Sequence, residues 1–488
     1  MSGGPGPAGA VSSGALSSEP GSSEAQSSEA LSSEPLSSQA LSFGALVARA
    51  HRDGRLVVQP RMGMSGPDAM RAGLLATRNA AATTVGTITL DSYTRVGDDA
   101  KARAALESCA ELNGYPIVAH AASTTRSVLD GVLSPAFPVQ VRHGSPCPQN
   151  IFRALIAAGL HATEGGPVSY CLPYSRMPLD ASIRNWVECC EMLAQLRETG
   201  AEPHLESFGG CMLGQLCPPS LLIAISVLEC MFFRQHGIRS VSLSYAQQTN
   251  AEQDHEAVLA LRQLADELLP DVESHIVIYT YMGVYPRTAS GALSLLAESA
   301  RLAVRTGASR LIVKTAAEAH RIPTIADNVN ALETAAAAAA AERFAPAAAP
   351  AADTGILAEA RGLIEAVLGL GPDLGRALAD AFRLGYLDIP YCLHPDNAGR
   401  ARSRIDGSGR LRWARVGSMP IRLKPQPGPG RAVELRSAEL LASLSYVERR
   451  FDDAALAQYG LDGDGLVPCF DAPAGPAGRA LRELKEVN

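Results

Sequence analysis

The amino-acid sequence contains no long apolar run of the kind that a membrane-spanning helix requires, so we expect no transmembrane segment. Its N-terminus has no basic stretch followed by an apolar one, and therefore does not resemble a secretory signal. A basic excess is also missing. The 43 Lys and Arg residues face 50 Asp and Glu, which gives a formal net charge of -7 and argues against a dedicated nucleic-acid-binding protein. These absences together predict a cytoplasmic protein that binds neither membranes nor nucleic acid.

Patterns typical of metal and phosphate sites are missing as well. None of the 10 cysteines forms a C-x-x-C pair, and the spacing of Cys211 and Cys217 does not match a zinc site. The sequence contains neither H-x-x-x-H nor H-E-x-x-H. The glycines of Gly369–Gly375 lack the strand–loop–helix setting of a phosphate loop. We therefore expect reduced thiols in a packed interior, and no metal ligated by this chain.

A low-complexity segment opens the sequence. Ser-Ser pairs recur every five residues from Ser12 to Ser37, separated by Glu, Ala, Pro and Gly. Few bulky apolar residues occur here, so the segment cannot bury enough surface to offset the entropy lost on ordering. We predict a disordered tail over residues 1–45, with no recognisable function.

From residue 46 to 333, short β-branched runs alternate with longer helix-like stretches. The eight candidate strands are Leu56–Val58, Thr83–Thr89, Pro116–His120, Val139–Val141, Pro203–Glu206, Ser240–Ser244, His275–Tyr279 and Leu311–Val313. The candidate helices between them include Ala181–Thr199, Pro218–His236 and Glu256–Leu268. This alternation indicates parallel βα units, and eight of them fit the usual size of a TIM (β/α)₈ barrel. A doubly wound open sheet is the alternative.

The remaining third of the chain has a different character. Residues 334–354 are rich in alanine and include Pro346 and Pro350, which predicts a helix running into a linker. Residues 355–488 combine helical periodicity near Gly355–Gly385 with strand-like pieces such as Leu411–Arg415. We predict a smaller α+β region packed on the barrel.

Arginines follow three of the predicted strands. In barrels of this kind functional residues follow the C-terminal ends of strands, and Arg61, Arg95 and Arg142 stand there after the first, second and fourth. Because arginine binds carboxylates through paired hydrogen bonds, three converging arginines would suit a substrate with two carboxylates. The alternative is that each is an ordinary surface arginine. His143, beside Arg142, is a candidate substrate contact or a satisfied core histidine.

Two further clusters stand at predicted loop positions. Glu164 can accept a hydrogen bond from a substrate ammonium, while Tyr170 and Tyr174 can bind substrate oxygens and shield the pocket with their rings. A packed turn with structural tyrosines is the alternative. After the eighth strand, Lys314 and Glu318 lie one helical turn apart. They form either an ordinary ion pair or a site for a polar group such as a ribose.

Taken in order, these segments resemble the large (epsilon) subunit of glutamate mutase (methylaspartate mutase), a coenzyme-B12-dependent enzyme. The matching segments are Pro60-Arg61, Asp91-Ser92-Tyr93-Thr94-Arg95, Asn113-Gly114-Tyr115-Pro116, Arg142-His143-Gly144, Glu164-Gly165-Gly166, Ser169-Tyr170, Pro173-Tyr174, Val313-Lys314-Thr315, Glu318 and Ile322-Pro323-Thr324. No single motif is specific, but their order and spacing are. The resemblance extends over residues 46 to 430.

The resemblance implies a TIM barrel that binds L-glutamate and the adenosyl part of adenosylcobalamin. The implied substrate-binding residues are Arg61, Arg95, Arg142, His143, Glu164, Tyr170 and Tyr174. The three arginines would hold the two carboxylates, and Glu164 would bind the amino group as the catalytic residue. The implied cofactor-binding residues are Gly63, Asn113, Pro173, Tyr285, Lys314, Glu318 and Ile322. Of these, Lys314 and Glu318 would bind the ribose.

The implied reaction is the radical rearrangement of L-glutamate to L-threo-3-methylaspartate, in which the cofactor carries the difficult chemistry. The D-x-H-x-x-G motif, whose histidine ligates cobalt in cobalamin-binding domains, is missing from this sequence. The resemblance therefore implies a separate small (sigma) subunit that ligates the cobalt, in a heterotetramer with two copies of each chain. The chain also departs from its relatives, which carry a helical arm before the barrel where this chain has the serine repeat.

Two other functional classes remain open. One is a different TIM-barrel enzyme, such as a metal-dependent lyase or an aldolase, for which Lys314 is the candidate Schiff-base lysine. The other is a catalytically idle relative that binds an amino acid. The sequence does not distinguish a degradative from a biosynthetic pathway.

Overall fold

The structure, a computed structural model, describes residues 42–209, 216–343, 353–422 and 437–458. Most of the predicted disordered tail, residues 1–41, and residues 344–352 of the predicted helix and linker lie outside the described residues. The first helix, α1, spans Phe43–Arg52 and begins where the Ser42 side chain accepts a hydrogen bond from the Ala45 amide at 3.1 Å. The described fold therefore starts three residues before the predicted boundary at residue 46.

Eight parallel strands form the centre of the molecule. They are β1 Val57–Gln59, β2 Gly86–Thr89, β3 Val139–Arg142, β4 Ala162–Glu164, β5 His204–Glu206, β6 Ser240–Ala246, β7 Glu273–Tyr279 and β8 Arg310–Ile312. The sheet order is β1-β8-β7-β6-β5-β4-β3-β2, and a parallel bridge between Val58 and Thr84 joins the two end strands. This ring confirms the predicted TIM barrel and rules out the open sheet.

Helices alternate with the strands around the outside. They are α2 Pro67–Asn79, α3 Ser92–Arg95, α4 Asp99–Glu107, α5 Ala122–Leu129, α6 Gln149–Ala157, α7 Leu179–Ala194, α8 Pro219–Gln235, α9 Ala251–Leu268, α10 Ala289–Thr306 and α11 Ile325–Glu342. Short 3₁₀ turns cover Gln195–Thr199 and Ala316–Ala319. Within the described ranges, no helix combines the length and the apolar character needed to cross a membrane.

One of the predicted strands is wrong. Pro116–His120 forms a turn, in which the Pro116 carbonyl accepts hydrogen bonds from the amides of Ala119 and His120 at 3.0 and 3.1 Å. Only Tyr115 pairs with a strand position, through a single bridge to Leu90. The apolar run resembles a strand, but Pro116 has no N–H to donate to a ladder.

The strand that takes this place in the barrel was missed. It is β4, Ala162–Glu164, whose three residues include no bulky apolar side chain and only one β-branched residue, Thr163. Arg142 consequently ends the third strand, not the fourth as predicted.

Helix α1 closes the N-terminal end of the barrel. The ring of Phe43 stacks on His204 with centroids 4.9 Å apart, and the guanidinium carbon of Arg310 lies 4.9 Å from the Phe43 ring centroid. Leu46 and Val47 pack in the same apolar cluster as residues from β1 and β4. With this end sealed, the C-terminal ends of the strands form the accessible mouth of the barrel.

The C-terminal region packs on the outside of the barrel. It contains α12 Ile356–Leu368, α13 Leu374–Leu384, α14 Ser437–Leu444, α15 Tyr446–Ala457 and an antiparallel hairpin of β9 Arg402–Ile405 and β10 Leu411–Arg415. Helix α12 contacts α8, and α15 contacts α10. The side chain of Trp413 in β10 donates a hydrogen bond to the Ser220 hydroxyl of α8 at 3.3 Å. The predicted strand Leu411–Arg415 is confirmed as β10.

Candidate active site

A buried arginine–glutamate pair lies at the centre of the mouth. Arg142 ends β3 and Glu164 ends the neighbouring β4, so their side chains meet, with Arg142 Nη2 2.5 Å from Glu164 Oε2. A second carboxylate, Glu206 at the end of β5, lies 3.2 Å from Arg142 Nη1. Burial alone disfavours the charged form of Arg142, but these carboxylates outweigh it and raise its pKa above the ordinary value. Arg142 therefore remains a cation.

Two tyrosines fix the Glu164 carboxylate. The Tyr170 hydroxyl donates a hydrogen bond to Oε1, while the Tyr279 hydroxyl, which donates mainly to Glu206, shares its proton with Oε2 over 3.3 Å. Burial raises the pKa of Tyr170 well above its ordinary value, with the Glu164 charge adding to the effect, so its hydroxyl stays protonated and acts as a donor. Burial also raises the pKa of Glu164, and Arg142 opposes that rise. The carboxylate is thus held in one orientation by groups from three strand ends.

Arg95 approaches this pair from β2. Asp91 caps the short helix α3 by accepting hydrogen bonds from the amides of Tyr93 and Thr94, at 2.9 and 3.1 Å. The Arg95 Nε then donates to the Leu90 carbonyl at 2.8 Å, and its Cδ lies 3.8 Å from the point where a Cβ on Gly144 would stand. Burial lowers the pKa of Arg95. No carboxylate in the described ranges lies within ion-pair distance of Arg95.

Arg61 completes the set from β1. Its Nη1 lies 3.2 Å from Glu318 Oε2, and its side chain is about one-third exposed, at 32%. Its positive charge acts on both Arg95 and Glu164, favouring the ionised form of Glu164 and disfavouring that of Arg95. The structure therefore brings all three predicted arginines to one mouth instead of leaving them in separate surface loops.

His143 lies beneath these groups. Its ring stacks on Trp186 at 6.0 Å between centroids and meets Tyr170 edge-on at 5.1 Å. Burial, assisted by the charge of Arg95, lowers the pKa of His143 to about 3, so the ring is neutral at ordinary pH. Because Nδ1 accepts the Ser145 amide at 3.1 Å, the ring proton resides on Nε2. His143 packs under the pocket and supports it.

The lysine, glutamate and tyrosine predicted to contact the cofactor form one cluster, to which the loop after β7 contributes Tyr285 and the segment after β8 contributes Lys314 and Glu318. Lys314 Nζ lies 3.4 Å from Glu318 Oε2 and 4.2 Å from the centre of the Tyr285 ring. The ring face thus attracts the ammonium, as in other cation–π pairs. Because Glu318 also contacts Arg61, it links this cluster to the three arginines. Lys314 and Glu318 form the predicted ion pair, and the Glu318 carboxylate also contacts Arg61.

The other predicted positions lie around the rim of the mouth. Tyr174 is 47% exposed and meets Tyr170 edge-on at 5.9 Å, while Ile322 is 62% exposed. Pro173 is partly exposed next to Tyr174. The Asn113 Oδ1 accepts the Ser92 amide at 2.9 Å and so joins two loops.

Gly63 follows β1 at a point where no larger residue fits. A Cβ there would stand 2.0 Å from the Thr89 carbonyl oxygen, so only glycine allows these two backbone segments to meet.

The sequence did not single out Glu206, Tyr279 or Arg310. Glu206 is fully buried and accepts hydrogen bonds from Arg310, Tyr279 and Ser242, the last at 3.1 Å. Burial would raise its pKa, but Arg310 and Arg142 outweigh burial and hold it at about 2. A charged residue inside a short buried strand was the signal available in the sequence. Residues of this kind point into a barrel, where they need charged partners.

In the part of the chain that the structure describes, no group of three or more His, Cys, Asp or Glu side chains is arranged to hold a metal ion. The mouth instead offers arginines, the carboxylates of Glu164, Glu206 and Glu318, tyrosine hydroxyls and a lysine. These groups bind and orient a charged ligand. The carboxylate–ammonium and arginine–carboxylate contacts available here suit an amino acid with a second acidic group.

Comparison with known proteins bears on this site. Residues 38–439 match the family model described as methylaspartate mutase E chain. The glutamate mutase epsilon subunit of Escherichia coli O157:H7 is 29% identical over 395 residues, which cover 78% of this chain and 81% of that protein. Those of Yersinia enterocolitica and Halobacterium salinarum are 30% and 33% identical, each over 68% of this chain and 72% and 71% of the relatives. With this match over a mouth of converging arginines, the chain belongs to the methylaspartate mutase E chain family.

Proposed function

We propose that this chain is the large, substrate-binding subunit of an adenosylcobalamin-dependent glutamate mutase, an isomerase that rearranges L-glutamate to L-threo-3-methylaspartate. The observation that carries the proposal is the convergence of Arg61, Arg95 and Arg142 beside Glu164. Three guanidinium groups can bind two carboxylates through paired hydrogen bonds. The Glu164 carboxylate then accepts hydrogen bonds from the substrate ammonium.

The charges of the mouth favour an acidic ligand. Arg142 is neutralised by Glu164 and Glu206, and Glu206 also neutralises Arg310. Arg61 shares the Glu318 carboxylate with Lys314. Arg95 has no carboxylate at ion-pair distance among the described residues, so its positive charge near the entrance can pair with an anionic ligand. A ligand with two carboxylates and one ammonium, such as glutamate, supplies a carboxylate for it.

The residues around Lys314 fit the adenosyl part of the cofactor. The Glu318 carboxylate is an acceptor suited to ribose hydroxyls, and Lys314, held against the Tyr285 ring, is a donor. Gly63, whose backbone lies against the Thr89 carbonyl, is a further position that we assign to cofactor contacts. Asn113, Pro173 and Ile322 are the remaining rim positions that we assign to cofactor contacts. When bound, the cofactor supplies the radical chemistry, which no side chain of the mouth provides.

In this proposal the residues of this chain orient the substrate and shield the pocket. The arginines fix the carboxylates, Glu164 fixes the ammonium, and Tyr170 and Tyr174 shield the pocket with their rings. His143 keeps Tyr170 and Trp186 in place from below. Such positioning is a large part of what a protein contributes to a cofactor-driven reaction.

A second chain is part of the proposal. The relatives are called epsilon subunits, and this sequence lacks the D-x-H-x-x-G motif of cobalamin-binding domains. We infer that a small sigma subunit supplies the cobalt ligand, that two copies of each chain form a heterotetramer, and that the complex works in the cytoplasm.

Reconstitution tests this function. The purified chain, a small protein carrying D-x-H-x-x-G, adenosylcobalamin and L-glutamate should together yield 3-methylaspartate, detected by proton NMR. The same mixture with D-glutamate is the control for substrate geometry. Turnover without the small protein would overturn the two-chain assignment. If neither turnover nor L-glutamate binding occurs in the complete mixture, the mutase assignment is wrong.

A further inference from the structure

The loop after β4 carries Tyr170 on a single helical turn. The Tyr170 amide donates to the Gly166 carbonyl at 3.2 Å, and the Leu172 amide donates to Val168 at 3.0 Å. The first amides of such a turn have no partner within the turn itself and need an acceptor from elsewhere. A serine, threonine, asparagine or aspartate usually supplies it from the first position. Here that position is Gly166, which has no side chain.

A carboxylate from a distant helix supplies the missing acceptor. Glu229 lies in the middle of α8, fully buried, and its Oε1 accepts the amides of Val168 and Ser169, both at 2.9 Å. A Cβ on Gly166 would lie 2.1 Å from the same oxygen, so the glycine is what allows the carboxylate to approach. A negative charge at the start of a helical turn is also favoured by the turn's dipole. Glu229 thus acts as an N-cap from outside the segment that it caps.

The capped turn is held on its other side as well. Pro167 accepts a hydrogen bond from the Ser182 hydroxyl of α7 at 2.8 Å, and a Cβ on Gly165 would lie 2.5 Å from Trp186. Between these supports the Tyr170 side chain emerges and donates to Glu164 Oε1. The position of the Tyr170 hydroxyl therefore depends on where the turn is fixed.

We propose that Glu229 is a positioning residue of the substrate pocket, which fixes Tyr170 and through it the Glu164 carboxylate. This proposal rests on the proposed function, because it assigns Glu229 to the site that binds the substrate ammonium. Burial raises the pKa of Glu229 to about 7, so the chain keeps a carboxylate in an environment that disfavours its charge. The cap geometry accounts for its presence there.

Two substitutions of Glu229 distinguish the effect of its hydrogen bonds to the turn from the effect of its charge. Glu229→Gln keeps an oxygen acceptor at nearly the same place, whereas Glu229→Ala removes it. The matched control is Asp254, another fully buried carboxylate whose pKa burial raises to about 7. Asp254 lies on α9 and accepts hydrogen bonds from the Tyr245 hydroxyl at 2.7 Å and from the Gln248 amide at 3.1 and 3.0 Å. Asp254→Ala should cost stability without touching Tyr170.

Hydrogen–deuterium exchange of the full chain tests the cap without reference to function. In Glu229→Ala we expect the amides of residues 165–172 to exchange roughly tenfold faster, as for the loss of a cap worth about 1.4 kcal/mol. Glu229→Gln should stay within about twofold of the unaltered chain. In Asp254→Ala these amides should be unchanged. Equal protection in Glu229→Ala and the unaltered chain would overturn the cap.

Calorimetric titration with L-glutamate tests the positioning role. We expect Glu229→Ala to raise the Kd about tenfold, Glu229→Gln to restore it to within about threefold, and Asp254→Ala to leave it unchanged. Circular dichroism must show each variant folded at the temperature used. An equal loss of affinity in Glu229→Ala and Asp254→Ala would mean a merely structural role. If the unaltered chain and the complex both fail to bind glutamate while exchange responds as expected, the proposed function fails and the cap stands.

Discussion

The two ends of the barrel both bury charged and polar side chains, but they balance them differently. At the closed end and in the interior, Arg310 is matched by Glu206, and His204 is held between the hydroxyls of Ser240 and Ser242 at 2.9 and 3.0 Å. At the mouth, Arg95 has no matching carboxylate in the described ranges. Buried charge that is fully paired supports the fold, whereas cationic charge left in excess at an entrance indicates a binding site for an anion.

The largest expected effect is on stability and concerns Glu206, whose charge is paired in the barrel interior. Glu206→Gln leaves Arg310 without its buried carboxylate and weakens the environment of Arg142, so we expect a loss of about 3–5 kcal/mol in the free energy of unfolding. Urea denaturation followed by circular dichroism measures it. The exposed pair Arg153–Glu188 is the control, and Glu188→Gln should change stability by less than about 1 kcal/mol. A Glu206→Gln chain as stable as its parent would show that the interior network is not needed for folding.

At the mouth of the barrel, Arg95→Lys should leave folding intact and strongly reduce activity with glutamate. Lysine keeps the charge but cannot reproduce the two-pronged hydrogen bonding of the guanidinium, so we expect kcat/KM for glutamate to fall about 100-fold, or about 2.7 kcal/mol. Steady-state kinetics of the reconstituted complex measures it. Arg103→Lys, an exposed position on α4, is the matched control. Near-normal kinetics in Arg95→Lys would mean that Arg95 is not one of the arginines that bind the substrate carboxylates.

The residues at the mouth were easier to predict from the sequence than the charge pairs of the barrel interior. Short β-branched runs and the arginines after them are local features, so seven of the eight predicted strands overlap observed ones. All three arginines stand at or after strand ends, although Arg142 ends the third strand and does not follow the fourth. Strand β4 was missed because its three residues, Ala162–Glu164, include no bulky apolar side chain. Pro116–His120 was mistaken for a strand because its apolar composition says nothing of where its hydrogen bonds go. The partners of Glu206 include Arg310, 104 positions away, and such a pairing emerges only when the barrel closes.

A pH comparison probes one histidine from each end. Burial lowers the pKa of both His143 and His204 to about 3, and nearby arginines add to the effect. The unfolded ring takes up a proton near its ordinary pKa, while the folded ring does so only near 3. The stability that each neutral, buried histidine allows is therefore fully present above pH 6.5. Protonation of the unfolded chain reduces the free energy of unfolding as the pH falls from 6.5 towards 3.

We expect the free energy of unfolding to drop between pH 7 and pH 5. Each histidine should account for a drop on the order of 2 kcal/mol. His204→Gln and His143→Gln should each reduce that drop by a similar amount in urea denaturation series at the two pH values. Only His143→Gln should also weaken glutamate binding, because only His143 supports the mouth. A drop unaffected by either substitution would mean that both rings protonate in the folded chain.

The smallest expected effect concerns Glu164, the carboxylate at the centre of the mouth. Glu164→Gln keeps an acceptor for Tyr170 but loses the charge that pairs with Arg142 and that we propose binds the substrate ammonium. We expect turnover to slow by about tenfold or more, with the affinity for the coenzyme changed by less than about twofold, because the proposed adenosyl contacts lie around Lys314. Steady-state kinetics at varied coenzyme concentration separates the two quantities. A large change in coenzyme affinity with unchanged turnover would instead move Glu164 from the substrate to the cofactor side of the mouth.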